Sequence, residues 1–443
     1  MSAALAGLGP LLDRGRAAAR PLVTGSVVGA MGLTLTVDGV TAAVGDLVEI
    51  NPGTRPLLAE VVAVGRDRMT CMPLGDLSGV HSGAPVRPTG MPLQVPVGDA
   101  LLGRVLDGLG RPVDGGPPLG AGISWVDLTS ETPNALTRSR VDEPLTFGVR
   151  ALDTLVPCGK GQRLGIFAGS GVGKSTLMSQ ITRGTDADVR VIGLIGERGR
   201  EVREFLEENL GPEGLARSVV VVATSDEPPL VRLKAAFVAT RIAEAFRDQG
   251  RDVLLLMDSI TRTAMAQREV GLSAGEPPAT RGYPPSVFAM MPKLLEKAGT
   301  GTTGSITGLY TVLVEGDDHN EPIADTARSI LDGHIVLTRK LATAGHFPAI
   351  DVLESISRVA GAVVPGPRMA EARELRRLMG ALRDVKELIE IGAYQTGSDP
   401  AVDRARLLAP AIDAFLQQPV EELTPAPRAW DMLHRLVTAQ VTA

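Results

Sequence analysis

One stretch constrains this chain more than any other: Gly165–Met178, reading GIFAGSGVGKSTLM. Leu164, Ile166 and Phe167 predict a strand, the glycines after them a turn, and the residues from Lys174 a helix. Strand, glycine-rich turn and helix in that order are the context of a phosphate-binding P-loop. Gly169, Gly171 and Gly173, with Ser170 and Val172 between them, let the backbone bend so that successive N–H groups converge. No side chain then blocks an anion, and the helix start adds partial positive charge beneath it. In such a loop Lys174 reaches the β- and γ-phosphates of a nucleotide, and Ser175 holds Mg2+. The strict pattern has glycine six residues before the lysine. Ala168 stands there instead and is small enough to keep the loop.

A chain of 443 residues is too long for one core and predicts two or three domains. Residues 1–20 carry Leu5, Leu8, Leu11 and Leu12 at helical spacing, then Arg14, Arg16 and Arg20, with Pro10 as a kink. They read as a frayed terminus or as a small docking segment for a partner, and as a poor signal peptide. Residues 21–92 alternate apolar and polar runs (Val23–Val28, Leu33–Val37, Leu47–Ile50, Ala59–Val64, Met69–Met72) between turn signals such as Asp38-Gly39. That texture predicts a small β-barrel without catalytic residues. Residues 93–150 read as a Gly- and Pro-rich connector. Strands and helices then alternate to about residue 314, which predicts a parallel sheet covered on both faces within an α/β domain spanning 93–365. From 366 to 443 the strands stop, and amphipathic helices near 375–389 and 401–417 predict a helical domain.

Chemistry gathers at predicted strand ends. Val253–Asp258 reads VLLLMD, a buried strand closed by a carboxylate, where Asp258 supports Mg2+. Gly196–Glu201 reads GERGRE, again directly after a strand, and Glu197 is the candidate to polarise an attacking water. Arg262, one helical turn past Asp258, is placed to read a γ-phosphate. Arg358 lies far along the chain, in PAIDVLESISR. The five histidines (81, 319, 334, 346, 434) have no metal-ligand spacing, and Cys71 and Cys158 form no CxxC and read as reduced, buried thiols. A net charge of −6 with 3% aromatic residues argues against a general nucleic-acid binder. No run of 18 apolar residues predicts a transmembrane helix.

The segments AGSGVGKST, GLIGERGREV, LLLMDSITR, GEPPATRGYPPSVF, VEGDDHNEPIADTARSILDGHIVL and PAIDVLESISR resemble the catalytic subunits of rotary ATPases. With GSDPAVD they look most like the flagellar and type III secretion export ATPases, over roughly residues 21–420. The resemblance implies a RecA-like core that hydrolyses ATP with Mg2+. In it Lys174, Ser175 and Thr176 bind phosphate and Mg2+, and Glu197 is the catalytic carboxylate with Arg198 and Glu201 beside it. Asp258 supports the metal and Arg262 contacts the γ-phosphate. Arg358 matches an arginine finger given to the neighbouring subunit, and Phe415 an adenine-packing aromatic, with Val420 where rotary synthases carry a second aromatic. Gly271–Pro285 matches the loop facing the central channel. The implied setting is a homohexamer in the cytoplasm, peripheral to an export gate at the inner membrane. Its implied partners are a regulator at the N-terminus, a central stalk protein and exported proteins with their chaperones. A synthase catalytic subunit would carry an acidic DELSEED-like segment, which this chain lacks. An RNA translocase would carry aromatics before the P-loop, and residues 21–92 contain no Phe, Tyr or Trp. A non-catalytic ring subunit would lack a carboxylate at 197.

Overall fold

A computed structural model describes residues 23–51, 56–314 and 321–439. The docking segment expected at residues 1–20 lies outside them. The chain divides into two compact units, Met1–Leu93 and Gln94–Ala443.

The first unit is a closed barrel of β1 (Gly25–Met31), β2 (Thr34–Asp38), β3 (Asp46–Ile50), β4 (Leu57–Val64), β5 (Arg68–Pro73) and β6 (Pro85–Pro92), joined in the order β1-β2-β5-β4-β3-β6. Period-2 alternation sets its inside: Leu35 and Val37 are buried while Thr34, Thr36 and Asp38 are not. Val48, Ile50, Val61, Cys71 and Val86 complete the core. The alternation predicts five of these strands. The sixth escapes it because PVRPTGMP carries three prolines and no alternating pattern. A register shift between Asp46 and Val48, where Pro88 faces Val48, accommodates that strand.

The second unit is built on β7 (Val105–Asp107), β8 (Arg163–Ala168), β9 (Val189–Glu197), β10 (Ser218–Thr224), β11 (Asp252–Asp258), β12 (Ser305–Leu313), β13 (Gly333–Leu337) and β14 (Ile356–Ser357). They lie in the order β14-β13-β8-β12-β11-β9-β10-β7, parallel from β13 to β7. β14 is antiparallel to β13. The stretch expected to be a plain connector thus supplies the edge strand β7. Three residues are too few to show a period, which is why the sequence hides it. β11 is buried from Val253 to Asp258, as a strand covered on both faces must be.

The helices that matter here are α1 (Lys174–Gly184), α2 (Gly199–Glu204), α3 (Pro229–Asp248), α4 (Ile260–Ser273), α5 (Pro285–Leu295), α6 (Pro322–Ile330), α7 (Gly366–Asp384), α8 (Pro400–Leu416) and α9 (Ala426–Thr438). α3 turns Leu230, Leu233, Val238, Ile242 and Phe246 inward, and its buried alanines bring it close to the sheet. A Cβ on Gly193 of β9 would already stand 3.3 Å from Ala239. α2 is short, and Phe205–Leu210 continue it as a π-helical turn. α7 stops at Asp384, before a separate turn Lys386–Glu390 that the apolar spacing had merged with it. α9 was not anticipated; it buries Trp430 and Leu433. α7, α8 and α9 share one hydrophobic cluster with Leu164 and Ile166 of β8, so the C-terminal helices belong to the same core as the nucleotide-binding sheet. Among the described residues no helix is long and apolar enough to cross a membrane.

Candidate active site

β8 ends at Ala168, and the chain turns through Gly169–Gly173 into α1. Gly171 (φ +73°) and Gly173 (φ +91°) adopt left-handed backbone that other residues resist. Val172 points inward and is buried, while Ser170 and Gly171 are exposed. Gly173 caps α1 without a side-chain hydrogen bond, so the first N–H groups of the helix are left for an anion.

The charged groups converge from neighbouring strand ends, the crevice where an open α/β sheet binds ligand. Lys174 Nζ pairs with Asp258 Oδ1 at the end of β11 and lies 3.7 Å from Glu197 Oε1 at the end of β9. Thr311 Oγ1 of β12 donates to the same Asp258 oxygen at 2.6 Å. Ser259 accepts the backbone N–H of Arg262 at 3.2 Å, capping α4 and fixing Arg262 one turn on. Arg262 Nε then stands 3.3 Å from Glu197 Oε1, and Arg262 Nη1 donates to the Gly196 carbonyl. Gly196 is at φ +71°, and a Cβ there would sit 2.9 Å from Arg262 Cδ, so glycine is required on both counts. Thr311 is the member of this group that motif reading missed. It is one of four hydroxyl residues in the buried strand SITGLYTVL, so its residue type alone does not single it out.

Ser175, Glu197, Glu201 and Asp258 line one small cavity of about 80 Å³, closed on its other side by Phe205 and Asn209 of the π-helical turn. Burial, and then the neighbouring Asp258 carboxylate, push Glu197 up to about 7, against the pull of Lys174 and Arg262. A carboxylate poised near neutrality is suited to accept a proton from water. All polar donors here are oxygens, which suits a hard divalent cation. Among the described residues no group of three or more His, Cys, Asp or Glu could hold a metal by itself. Ser175 and Asp258 offer two oxygens here, the number Mg2+ takes from protein before phosphate and water complete its shell.

A larger cavity of about 410 Å³ opens on the other side of α1, lined by Gly173, Thr176 and Gln180, by Phe347, and by Gln417 and Val420. The Phe347 ring comes within 3.3 Å of where a Cβ on Gly173 would be. Phe415 does not line this cavity. It lies on the buried face of α8 among the core residues, and the aromatic wall comes from Phe347 instead.

Two predicted arginines stand apart. Arg198 is exposed at the start of α2, 3.7 Å from Glu201, with its side chain 79% accessible. Arg358 is exposed beyond β14, its N–H on the Asp332 carbonyl at 2.9 Å and its guanidinium on the Arg328 carbonyl at 3.3 Å. Ser357 pairs with Gly333, the first residue of β13, whereas the P-loop leaves β8 opposite Leu337, the last. Roughly 13 Å of strand separates those ends. Arg358 is therefore outside its own chain's site.

Three family models match: the ATP synthase alpha/beta family β-barrel domain over residues 27–90, its nucleotide-binding domain over 148–357, and the type III secretion EscN ATPase C-terminal domain over 364–435. The fold and site are thus those of a P-loop ATPase. The type 3 secretion system ATPase of Xanthomonas euvesicatoria is 52% identical over 402 residues, 90% of this chain and 91% of the relative. The flagellum-specific ATP synthase of Bacillus subtilis is 50% identical over 401 residues, with 90% and 91% covered. The assembled ATPase EscN of the enteropathogenic E. coli type III secretion system superposes with a TM-score of 0.89 at 47% identity, covering 94% of this chain and 100% of that one. The chain belongs to the family of flagellum-specific ATP synthases and type III secretion ATPases, within the ATP synthase alpha/beta proteins.

Proposed function

We propose that this chain forms a homohexameric ring that hydrolyses Mg-ATP and energises protein export through a flagellar, type III apparatus. Lys174 counters the β/γ-phosphate charge, leaving its pairing with Asp258. Ser175 and Asp258, with Glu201 beside them, hold the cation, which neutralises charge on the phosphate oxygens. Glu197 takes the proton of the attacking water, and Arg262 orients Glu197 and meets the γ-phosphate. Gly169–Thr176 cradle the phosphates, and Phe347, not Phe415, stacks on the base. Arg198, exposed as it is, serves a neighbouring subunit or none. The N-terminal twenty residues bind a regulator, residues 21–92 form the barrel, 93–365 the motor and 366–443 the helical end. The ring works in the cytoplasm, peripheral to the export gate at the inner membrane.

One asymmetry supports the ring. Lys174, Glu197, Asp258 and Arg262 lie together in one chain, while Arg358 is exposed at the far end of β13. A site that needs a further cation during phosphoryl transfer must then take it from another copy, at a gain of roughly 10³–10⁵ in rate. A relative solved in complex with its central stalk EscO, 46% identical, supports a stalk partner for the Gly271–Pro285 loop. Export through an injectisome is the second reading, favoured by the match of the type III secretion C-terminal model. The test is mixing. Lys174→Ala and Arg358→Ala should each be inactive, and mixed rings should regain activity where an intact site meets an intact finger. Inactive mixtures in which mixed rings are demonstrated would sink the trans mechanism.

A further inference from the structure

The wall of the larger cavity formed by residues 417–420 has no helix or strand to hold it. Irregular backbone at a buried site must find partners for its polar groups elsewhere. Here one buried side chain reaches two backbone carbonyls and two side chains of the segment 415–424. Arg150, in the short helix Arg150–Leu155 ahead of β8, is 4% exposed. Its Nε donates to the Phe415 carbonyl at 2.9 Å, its Nη2 to the Gln417 carbonyl, and its Nη1 to the Glu422 carboxylate and, at 3.3 Å, to Thr424 Oγ1. Its own N–H donates to Gln418 Oε1 at 2.9 Å. Gln418 in turn donates its backbone N–H to the Phe347 carbonyl at 2.9 Å, tying this wall to the aromatic one. From α1, Gln180 donates to the Pro419 carbonyl at 3.1 Å and Arg183 to the Val420 carbonyl.

Burying a guanidinium is costly unless its donors are used, and a single carboxylate partner would not need this fork. Arg150 spans two backbone carbonyls and a carboxylate at once, which a lysine ammonium with one nitrogen cannot copy. We propose that Arg150 is a positioning residue that holds residues 415–424 as the roof of the base cavity, so that it sets affinity for the nucleotide base and not the rate of phosphoryl transfer. This rests on the larger cavity being the base site.

Arg150→Lys in the full-length chain should raise the KM for ATP roughly 10-fold or more, the scale of losing hydrogen bonds to a charged donor, while kcat stays within about two-fold. Inhibition by Mg-tripolyphosphate, which has no base, should be unchanged. Arg183→Met, which loosens the same roof without lining the cavity, should raise KM in the same direction by less, and it carries the test if the Arg150 variant does not fold. An unchanged KM in both variants overturns the proposal. So does a kcat that falls in step with kcat/KM, or weaker tripolyphosphate inhibition. Phe347→Ala separates the two levels. If it leaves KM unchanged, the base-site reading fails and takes the roof with it. If it raises KM while Arg150→Lys and Arg183→Met do not, the roof proposal alone fails.

Discussion

The two ends of the nucleotide site are made in opposite ways. The phosphate end is one continuous piece of chain, Gly169–Thr176, backed by carboxylates at the ends of buried parallel strands. The cavity proposed for the base is assembled from three distant pieces, around residues 176, 347 and 417–420, the last without regular structure. Phosphate carries concentrated charge, and converging N–H groups from one turn are enough to meet it. A base offers a flat apolar face, which any well-placed ring from any part of the fold can cover. Chemistry is therefore concentrated in a motif, and affinity for the base is spread across the fold.

The sharpest break of that contrast comes from Lys174. Lys174→Ala should reduce hydrolysis to background in a phosphate-release assay, because the β/γ charge loses its counter-ion; measurable steady-state turnover would move the phosphate site elsewhere. Next comes Glu197→Gln, which keeps the shape and removes the charge that polarises water. Turnover should drop by roughly 10² or more with near-normal ATP binding by titration. Parallel loss of binding would make Glu197 a structural residue. At the base end, Phe347→Ala should raise KM roughly 10-fold, the scale of one stacking contact, and leave kcat almost untouched. A fall in kcat instead would mean the two ends are not separable. The smallest effect is in pH. Burial holds Glu197 protonated below about 7, so the base is available only above it. Then kcat/KM should climb as pH rises through that value and level off beyond it, in the wild type and in Phe347→Ala alike. Glu197→Gln should lose the climb, and a profile with no climb in the wild type would remove Glu197 as the base.

This contrast also explains what could be read in advance. The P-loop, Glu197 and Asp258 were legible because each is a short local signal: glycines before a helix, or a carboxylate closing an apolar run. Arg262 was legible because its distance from Asp258 is one helical turn. Phe415 misled because an aromatic at the end of α8 looks the same in sequence whether it faces a cavity or, as here, the core. Phe347 was passed over for the converse reason, since nothing local says that a residue before a proline will reach Gly173. The barrel followed the same rule. Alternation revealed the strands that alternate and hid β6, whose prolines break the pattern. Arg150 carries no local signal at all, because every partner its side chain reaches is more than 260 residues away.

The place of β8 in the sheet has a further consequence. The strand that carries the P-loop is flanked on one side by β12 and on the other by β13, both made long after it. Gly161, just ahead of β8, bonds to Thr307, 146 residues later. As the chain leaves the ribosome, the strand that leads into the P-loop waits unpaired until both late neighbours emerge. Parallel pairing over such distances is intrinsically slow and leaves sticky surface exposed meanwhile. The nascent motor cannot be rescued early by its own ligand either, because the P-loop takes its shape from a sheet that is not yet there. Strand order thus leaves an interval, between synthesis of residue 168 and of residue 337, in which the P-loop strand lacks both of its sheet neighbours.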